Sequence, residues 1–179
     1  IVSDAESHGL LLRAKERAGS TLSLDALTEA VSRFKRHLDP ETLAEGSEDA
    51  FAVFTEYQRA MKAHGVMEMD DLMLALLRGY QDGSIKPFDL GAMLIDEFQD
   101  CDEVQLRVAL HYGQRDTRVH VVADDDQSIY GFRAGLGFHA IDRLRATLHA
   151  KQFLLDQNYR CTPQIVALAD RVIQNNRVR

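Results

Sequence analysis

A chain of 179 residues with 45% hydrophobic content is long enough to bury the core of one ordinary domain. Two cysteines exclude a disulfide framework, and without a long apolar run, signal peptide or low-complexity tract the chain is expected to be soluble and cytoplasmic, with no membrane partner. The net charge of -7 speaks against wholesale nucleic-acid binding, yet residues 129–179 hold eight Lys/Arg and three Asp/Glu, a balance of +5 that leaves -12 for residues 1–128.

The first third reads as helical. Leu24, Leu27, Val31, Phe34 and Leu38 recur every three or four residues with Ser23 placed to cap the start, and Ser47 is placed to cap a second helix carrying Phe51, Phe54, Tyr57 and Met61 on one stripe. Asp39-Pro40 and Glu45-Gly46-Ser47 mark the connection between them. A further helix, Asp70 to Tyr80, carries Leu72, Met73, Leu76 and Leu77, and Asp82-Gly83-Ser84 with Pro87 leads away from it. Then come a short apolar strand, Ala92 to Ile95, an amphipathic helix from Glu103 to Tyr112, and a second strand, Val119 to Val122. Strand, helix, strand in this order predicts parallel pairing. A third apolar piece, Phe153-Leu154-Leu155, precedes Asp156-Gln157-Asn158-Tyr159-Arg160, and Thr162-Pro163 opens the last helix with a cap and an N1 proline.

The chemistry concentrates where the strands end. Asp96-Glu97-Phe98-Gln99-Asp100 follows the first strand directly, which delivers adjacent carboxylates to the carboxyl edge of a parallel sheet, where open α/β folds bind nucleotide phosphates. That predicts phosphoryl transfer with Mg2+, Asp96 on the metal side and Glu97 accepting a proton from the attacking water. The competing reading makes the two carboxylates a solvated loop, with Asp100 or Asp102 capping the next helix. On this stretch alone the readings stand level. A second polar cluster after the second strand, Asp124-Asp125-Asp126-Gln127-Ser128-Ile129-Tyr130-Gly131-Phe132-Arg133, favours the first, because parallel neighbours bring both polar ends to one edge.

DEFQD, DDDQSIYGFR and QNYR, in this order and spacing, resemble motifs II, III and IV of the UvrD/Rep/PcrA-type superfamily 1 DNA helicases, and Ser32 to Pro40 and Met69 to Met73 resemble that family's segments upstream of motif II. The resemblance covers roughly residues 30 to 179. It implies an α/β fold: a partial RecA-like parallel-sheet motor domain with an N-terminal, mostly helical subdomain. Residues 1–65 would be the helical part of an inserted 1B-like subdomain, 66–150 the C-terminal part of RecA-like domain 1A, and 151–179 the start of domain 2A. It implies ATP and Mg2+ as cofactors, single-stranded DNA and the single-strand/duplex junction as partners, and 3′ to 5′ translocation together with the remaining helicase domains. By position, Asp96 would bind Mg2+, Glu97 activate water, and Gln127 sense the terminal phosphate and couple it to DNA. Tyr159 would stack on adenine, and Arg160 would act as an arginine finger. Tyr130, Phe132 and Arg133 would face single-stranded DNA, aromatic rings offering any base a stacking surface and the guanidinium a phosphate contact. Without the motif, Tyr130 and Phe132 read as core aromatics and Arg160 as half of a surface pair with Asp156.

Departures from the family pattern are specific. Ala123 stands where glycine is usual, Ala134-Gly135 replaces Gly-Ala, Phe132 replaces a common tryptophan, and Cys101 and Cys161 stand for threonine or serine. With no CxxC or nearby histidine pairing, zinc is not expected. No glycine is followed by lysine, so there is no GxxxxGK[ST] loop to cradle phosphates. The chain is therefore expected to be a segment of an ATP-dependent DNA helicase, inactive in isolation. A non-catalytic descendant that binds DNA or a partner is the alternative, and a metal-dependent nuclease is a third possibility that leaves Gln127, Tyr159 and Arg160 without a role.

Overall fold

The structure is a computed structural model that describes residues 1–128 and 135–175, the side chain of Asp125 excepted. Four helices come first: α1 (Asp4–Ala18), α2 (Leu24–Lys35), α3 (Glu48–His64) and α4 (Met69–Asp82). They are followed by β1 (Ala92–Ile95), α5 (Glu103–Gly113), β2 (Arg118–Val121), α6 (Phe138–Leu148) and α7 (Pro163–Ile173). Single 3-10 turns sit at Pro40–Leu43, Phe98–Asp100 and Asp125–Gln127.

Helix α1 starts at a reciprocal cap, the Ser3 hydroxyl accepting from the Glu6 amide while the Glu6 carboxylate accepts from the Ser3 amide at 3.1 Å. It packs with α2 and α3 around Leu10, Leu11, Leu27, Val31, Phe34 and Tyr57. The Phe34 ring lies 5.4 Å from Phe51, edge on, and 5.2 Å from Phe54, within the range of favourable aromatic pairs. Ser23 caps α2 as its position predicts, accepting from the Ala26 amide. Ser47 does not cap α3 through its side chain, because its backbone (φ -140°, ψ 28°) turns away from the extended geometry a cap requires. Thr162 likewise precedes α7 without a side-chain bond, and Pro163 alone supplies the predicted start signal.

Lys35 belongs by spacing to the apolar face of α2 and is only 1% exposed. Its ammonium reaches Glu68 and, at 2.7 Å, Asp71, while the Tyr57 hydroxyl donates to Glu68 at 2.6 Å. Burial of an ammonium at this depth requires such partners. The cluster fastens α2 and α3 to the start of α4, and Arg36 extends it through an ion pair with Asp70 at 3.0 Å.

Strands β1 and β2 pair in parallel with Ile95 opposite Val121, as the order strand, helix, strand predicts. One face of this sheet packs Ile95, Val119 and Val121 against Phe98, Leu106, Leu110, Ala140 and Leu144, joining α5 and α6. Met93 also meets a third cluster, Leu74, Leu77, Tyr80, Val104, Val108 and Tyr112, between α4 and α5. The opposite sheet face carries exposed Leu94 and Val122. The sheet of the described residues has two strands. Phe153, Leu154 and Leu155 lie outside it, at least 81% exposed, so the third apolar piece does not add a strand here. Among the described residues no helix is long and apolar enough to cross a membrane.

Candidate nucleotide-site edge

Parallel pairing runs one step past each strand. Val122 N donates to Ile95 O at 2.9 Å and Phe98 N to Val122 O at 3.0 Å, so the chain leaves β1 and β2 side by side and at the same edge. Asp96 and Glu97 emerge there exposed. Asp96 Oδ1 accepts from the Glu97 amide at 3.0 Å. Glu97 has φ 50° and ψ 42°, the left-handed conformation that a side chain beyond Cα disfavours. This turn carries the main chain away from the strand into the 3-10 segment Phe98–Asp100 and leaves the Glu97 carboxylate at the rim.

Helix capping falls to a different residue. Asp102 accepts from the Gln105 amide at 2.9 Å, and Gln105 Oε1 accepts from the Asp102 amide at 3.2 Å. The capping half of the competing sequence reading is thus correct for Asp102, while Glu97, which precedes the 3-10 segment Phe98–Asp100, makes no side-chain capping bond. Burial pushes the Asp102 carboxyl above its usual range, opposed by backbone amides and the nearby Arg36. Burial also raises the Cys101 thiol to about 12, helped by the Asp102 and Asp100 carboxylates. Asp100 keeps one buried oxygen, Oδ1, without a hydrogen-bond partner among the described residues.

A chain of side-chain bonds connects the two strand exits. Gln99, 1% exposed, donates from Nε2 to Glu97 Oε2 at 2.6 Å and accepts at Oε1 from the Asp124 amide at 3.0 Å. Asp124 Oδ2 in turn accepts from Gln127 Nε2 at 2.5 Å, and Asp124 Oδ1 from the Asp126 amide at 3.2 Å. Glu97 and Gln127 are therefore brought together on one edge through two intermediaries. Sequence reasoning assigned Gln99 no part. Its signal was available: an amide offers a donor and an acceptor at once, and this one sits between two acidic turns.

The remaining candidates are placed differently. Tyr159 is 86% exposed, its hydroxyl donating to Gln157 at 2.8 Å. The Arg160 and Cys161 amides donate to Asn158 Oδ1 at 3.0 and 2.8 Å, which shapes a local turn and leaves the Arg160 side chain exposed. Among the described residues no ion pair joins Arg160 to Asp156, and no hydrogen bond joins Tyr159 or Arg160 to Asp96, Glu97 or Gln127. Tyr130, Phe132 and Arg133 lie outside the described residues.

The donor set suits magnesium. Asp96 offers exposed carboxylate oxygens, and Mg2+ is held by one or two such groups together with substrate phosphates and waters rather than by an all-protein cage. Among the described residues no three His, Cys, Asp or Glu side chains converge as a metal-binding group.

The UvrD/REP helicase N-terminal domain matches residues 6–145 of the chain. Among its relatives, the ATP-dependent DNA helicase UvrD1 of Mycobacterium tuberculosis is 31% identical over 202 aligned positions that cover 98% of this chain and 26% of the relative. The ATP-dependent DNA helicase PcrA of Leuconostoc citreum is 29% identical over 153 positions, covering 79% and 20%. DNA helicase II of Haemophilus influenzae is 32% identical over 131 positions, covering 69% and 18%. The chain spans about a fifth to a quarter of the length of these curated relatives. With the domain match extending from the first helix into α6, across both strand exits, the chain belongs to the UvrD/REP helicase family.

Proposed function

We propose that this chain forms part of an ATP-dependent 3′ to 5′ DNA helicase or translocase, contributing its water-activating, phosphate-sensing and arginine-finger residues as motifs II, III and IV. The observation that carries the reading is the hydrogen-bonded chain Glu97, Gln99, Asp124, Gln127 across the ends of two parallel strands. The carboxyl edge of a parallel sheet is where α/β folds present groups to phosphates.

In this reading Asp96 would hold Mg2+, which would supply positive charge against the negative charge developing on the phosphate oxygens. Glu97 accepts a proton from the water that attacks the γ-phosphorus, and its placement one residue past Asp96 puts base and metal side by side. Gln127, neutral and able to donate and accept, reads the terminal phosphate. Tyr159 offers its exposed ring to adenine and Arg160 its charge to the γ-phosphate, both delivered when a second motor lobe closes on the first. Tyr130, Phe132 and Arg133 meet single-stranded DNA. Residues 1–65 act as part of a 1B-like subdomain, 66–150 as part of 1A and 151–179 as the start of 2A.

The test is Glu97→Gln in the complete protein, assayed for ATP turnover and for binding of a nonhydrolysable ATP analogue. Loss of one proton acceptor removes on the order of 10²-fold or more of rate while binding persists. Turnover within about threefold of the unmodified protein refutes Glu97 as the base, on that same scale. A protein that binds single-stranded DNA but never hydrolyses ATP would identify a non-catalytic descendant instead.

A further inference from the structure

We propose that Gln99 is the positioning residue that ties the placement of the Glu97 carboxylate to Asp124 and Gly137. The inference rests on the helicase reading above and adds to it a physical link between the two motifs.

Gln99 touches both ends of the segment these two residues bound. Its side-chain Oε1 accepts from the Asp124 amide at 3.0 Å, and its main-chain oxygen accepts from the Gly137 amide at 3.1 Å. Next to it, Cys101 O accepts from the Leu136 amide at 2.9 Å. The segment thus leaves β2 and returns toward α6 on one residue and its close neighbour. Gly137 fits this junction for a backbone reason: its φ of 54° and ψ of -135° suit glycine, and a Cβ there would stand 3.2 Å from Ser128 Oγ. The third bond, Nε2 to Glu97 Oε2 at 2.6 Å, joins the same side chain to the proposed base.

The chemistry of the amide makes this a link rather than three separate contacts. Donor and acceptor lie in one rigid plane, so the amide cannot turn to follow Glu97 without moving its oxygen away from Asp124. At 1% exposure no bulk water replaces a lost partner, and a buried polar group left unpaired is costly. Any displacement of the Glu97 carboxylate is therefore passed through the amide to Asp124, whose own carboxylate holds Gln127. The residues proposed to face DNA, Tyr130, Phe132 and Arg133, fall in sequence between the two anchored ends.

Two substitutions in the complete protein test this. Gln99→Met removes both side-chain arms at similar length. Gln99→Glu keeps an acceptor for the Asp124 amide but has no donor for the Glu97 carboxylate. For both, kcat for ATP in the presence of single-stranded DNA is expected to fall about tenfold, the equivalent of ~1.4 kcal/mol, with KM for ATP unchanged. The ratio of DNA-stimulated to unstimulated turnover is expected to fall with it, a readout that general loosening of the fold would not move selectively. A folded variant that keeps this ratio within about twofold, or whose KM rises in step with the loss of kcat, overturns the proposal. Should neither variant fold, amide hydrogen exchange on the unmodified protein decides it. Addition of Mg2+ and a nonhydrolysable ATP analogue is expected to change protection at Asp124, Leu136 and Gly137 together, and independent or absent changes overturn the link. Glu97→Gln, run alongside, separates the failures: normal turnover there removes the helicase reading itself, whereas a dead Glu97→Gln beside a fully stimulated Gln99→Met removes only the link.

Discussion

Replacing Lys35 with methionine removes a cation that is 1% exposed and leaves Glu68 and Asp71 facing each other without it. Breaking a buried pair by deleting one partner costs about 3–5 kcal/mol. The side chains of Glu68 and Asp71 keep 28% and 15% of their surface in water, and Glu68 still accepts from Tyr57 and Ser7, which places the loss near the lower end, about 3 kcal/mol. For a chain of this length each kcal/mol lowers Tm by roughly 2–4 °C, so the expected fall is about 6–12 °C in a thermal melt at neutral pH. Methionine retains much of the apolar stem, so packing around Phe34 and Tyr57 is largely kept. Adding Glu68→Gln and Asp71→Asn to Lys35→Met is expected to recover part of the loss, because the penalty lies in uncompensated charge rather than in missing contact. A Lys35→Met protein that melts within about 2 °C of the original, or a triple variant that melts lower still, refutes the claim that this ammonium organises the joint between α2, α3 and α4.

Acid should expose the same joint. Burial alone pulls the Glu68 carboxyl upward, but hydrogen bonds from Lys35, Ser7 and Tyr57 with the Lys35 charge hold it below its ordinary 4.5, so its contribution is present above pH 4.5 and lost as pH falls through the lowered value. Denaturant melts of the unmodified chain and Glu68→Gln are therefore expected to converge as pH drops below 4.5, and a constant gap down to the lowest accessible pH contradicts this. Cys101, buried with its thiol raised to about 12, is expected to react with iodoacetamide far more slowly than half-buried Cys161 in the native chain. Equal alkylation rates before denaturation, followed by mass spectrometry, would show that Cys101 is not enclosed as described.

Where a side chain reports its surroundings by period, the sequence was legible. Leu24, Leu27, Val31 and Phe34 with Ser23 marked α2 to within a residue at its start, and the four-residue run Ala92 to Ile95 marked β1 at both ends. The second strand begins and ends one residue earlier than its apolar run, because Arg118 pairs with Ala92 at the exposed end of the ladder. Helix α1 escaped because Leu10, Leu11 and Leu12 gather in one turn instead of recurring along a face, although Ser3 and Glu6 carried the start signal of a capping box. Ser47 and Thr162 were in the right places for caps without making the bond: the backbone at Ser47 turns away from the extended geometry a cap requires, whereas Thr162 has that geometry and its side chain still makes no capping bond.

At the site, Asp96 and Glu97 were legible because strand, helix, strand order sends both turns to one edge. Gln99 was not, since a glutamine in a short turn has no period and its value lies wholly in what approaches it from 25 residues away. Lys35 was noticed only within a resembling segment. An ammonium among Leu27, Val31 and Phe34 could have been read as a demand for buried anions, but which acids answer it is decided by the packing of α4.

Among the described residues, three other than glycine take left-handed backbone angles: Glu97, Asp116 and His149. Such residues are the usual first choice when a protein is engineered for heat resistance, since glycine adopts the conformation without the ~1 kcal/mol or more that a Cβ adds. Asp116 and His149 are open to that exchange. Glu97 is where hardiness and the proposed turnover pull apart, and a library selected on melting behaviour alone would drift toward glycine there and yield a sturdier protein without the carboxylate proposed as its base.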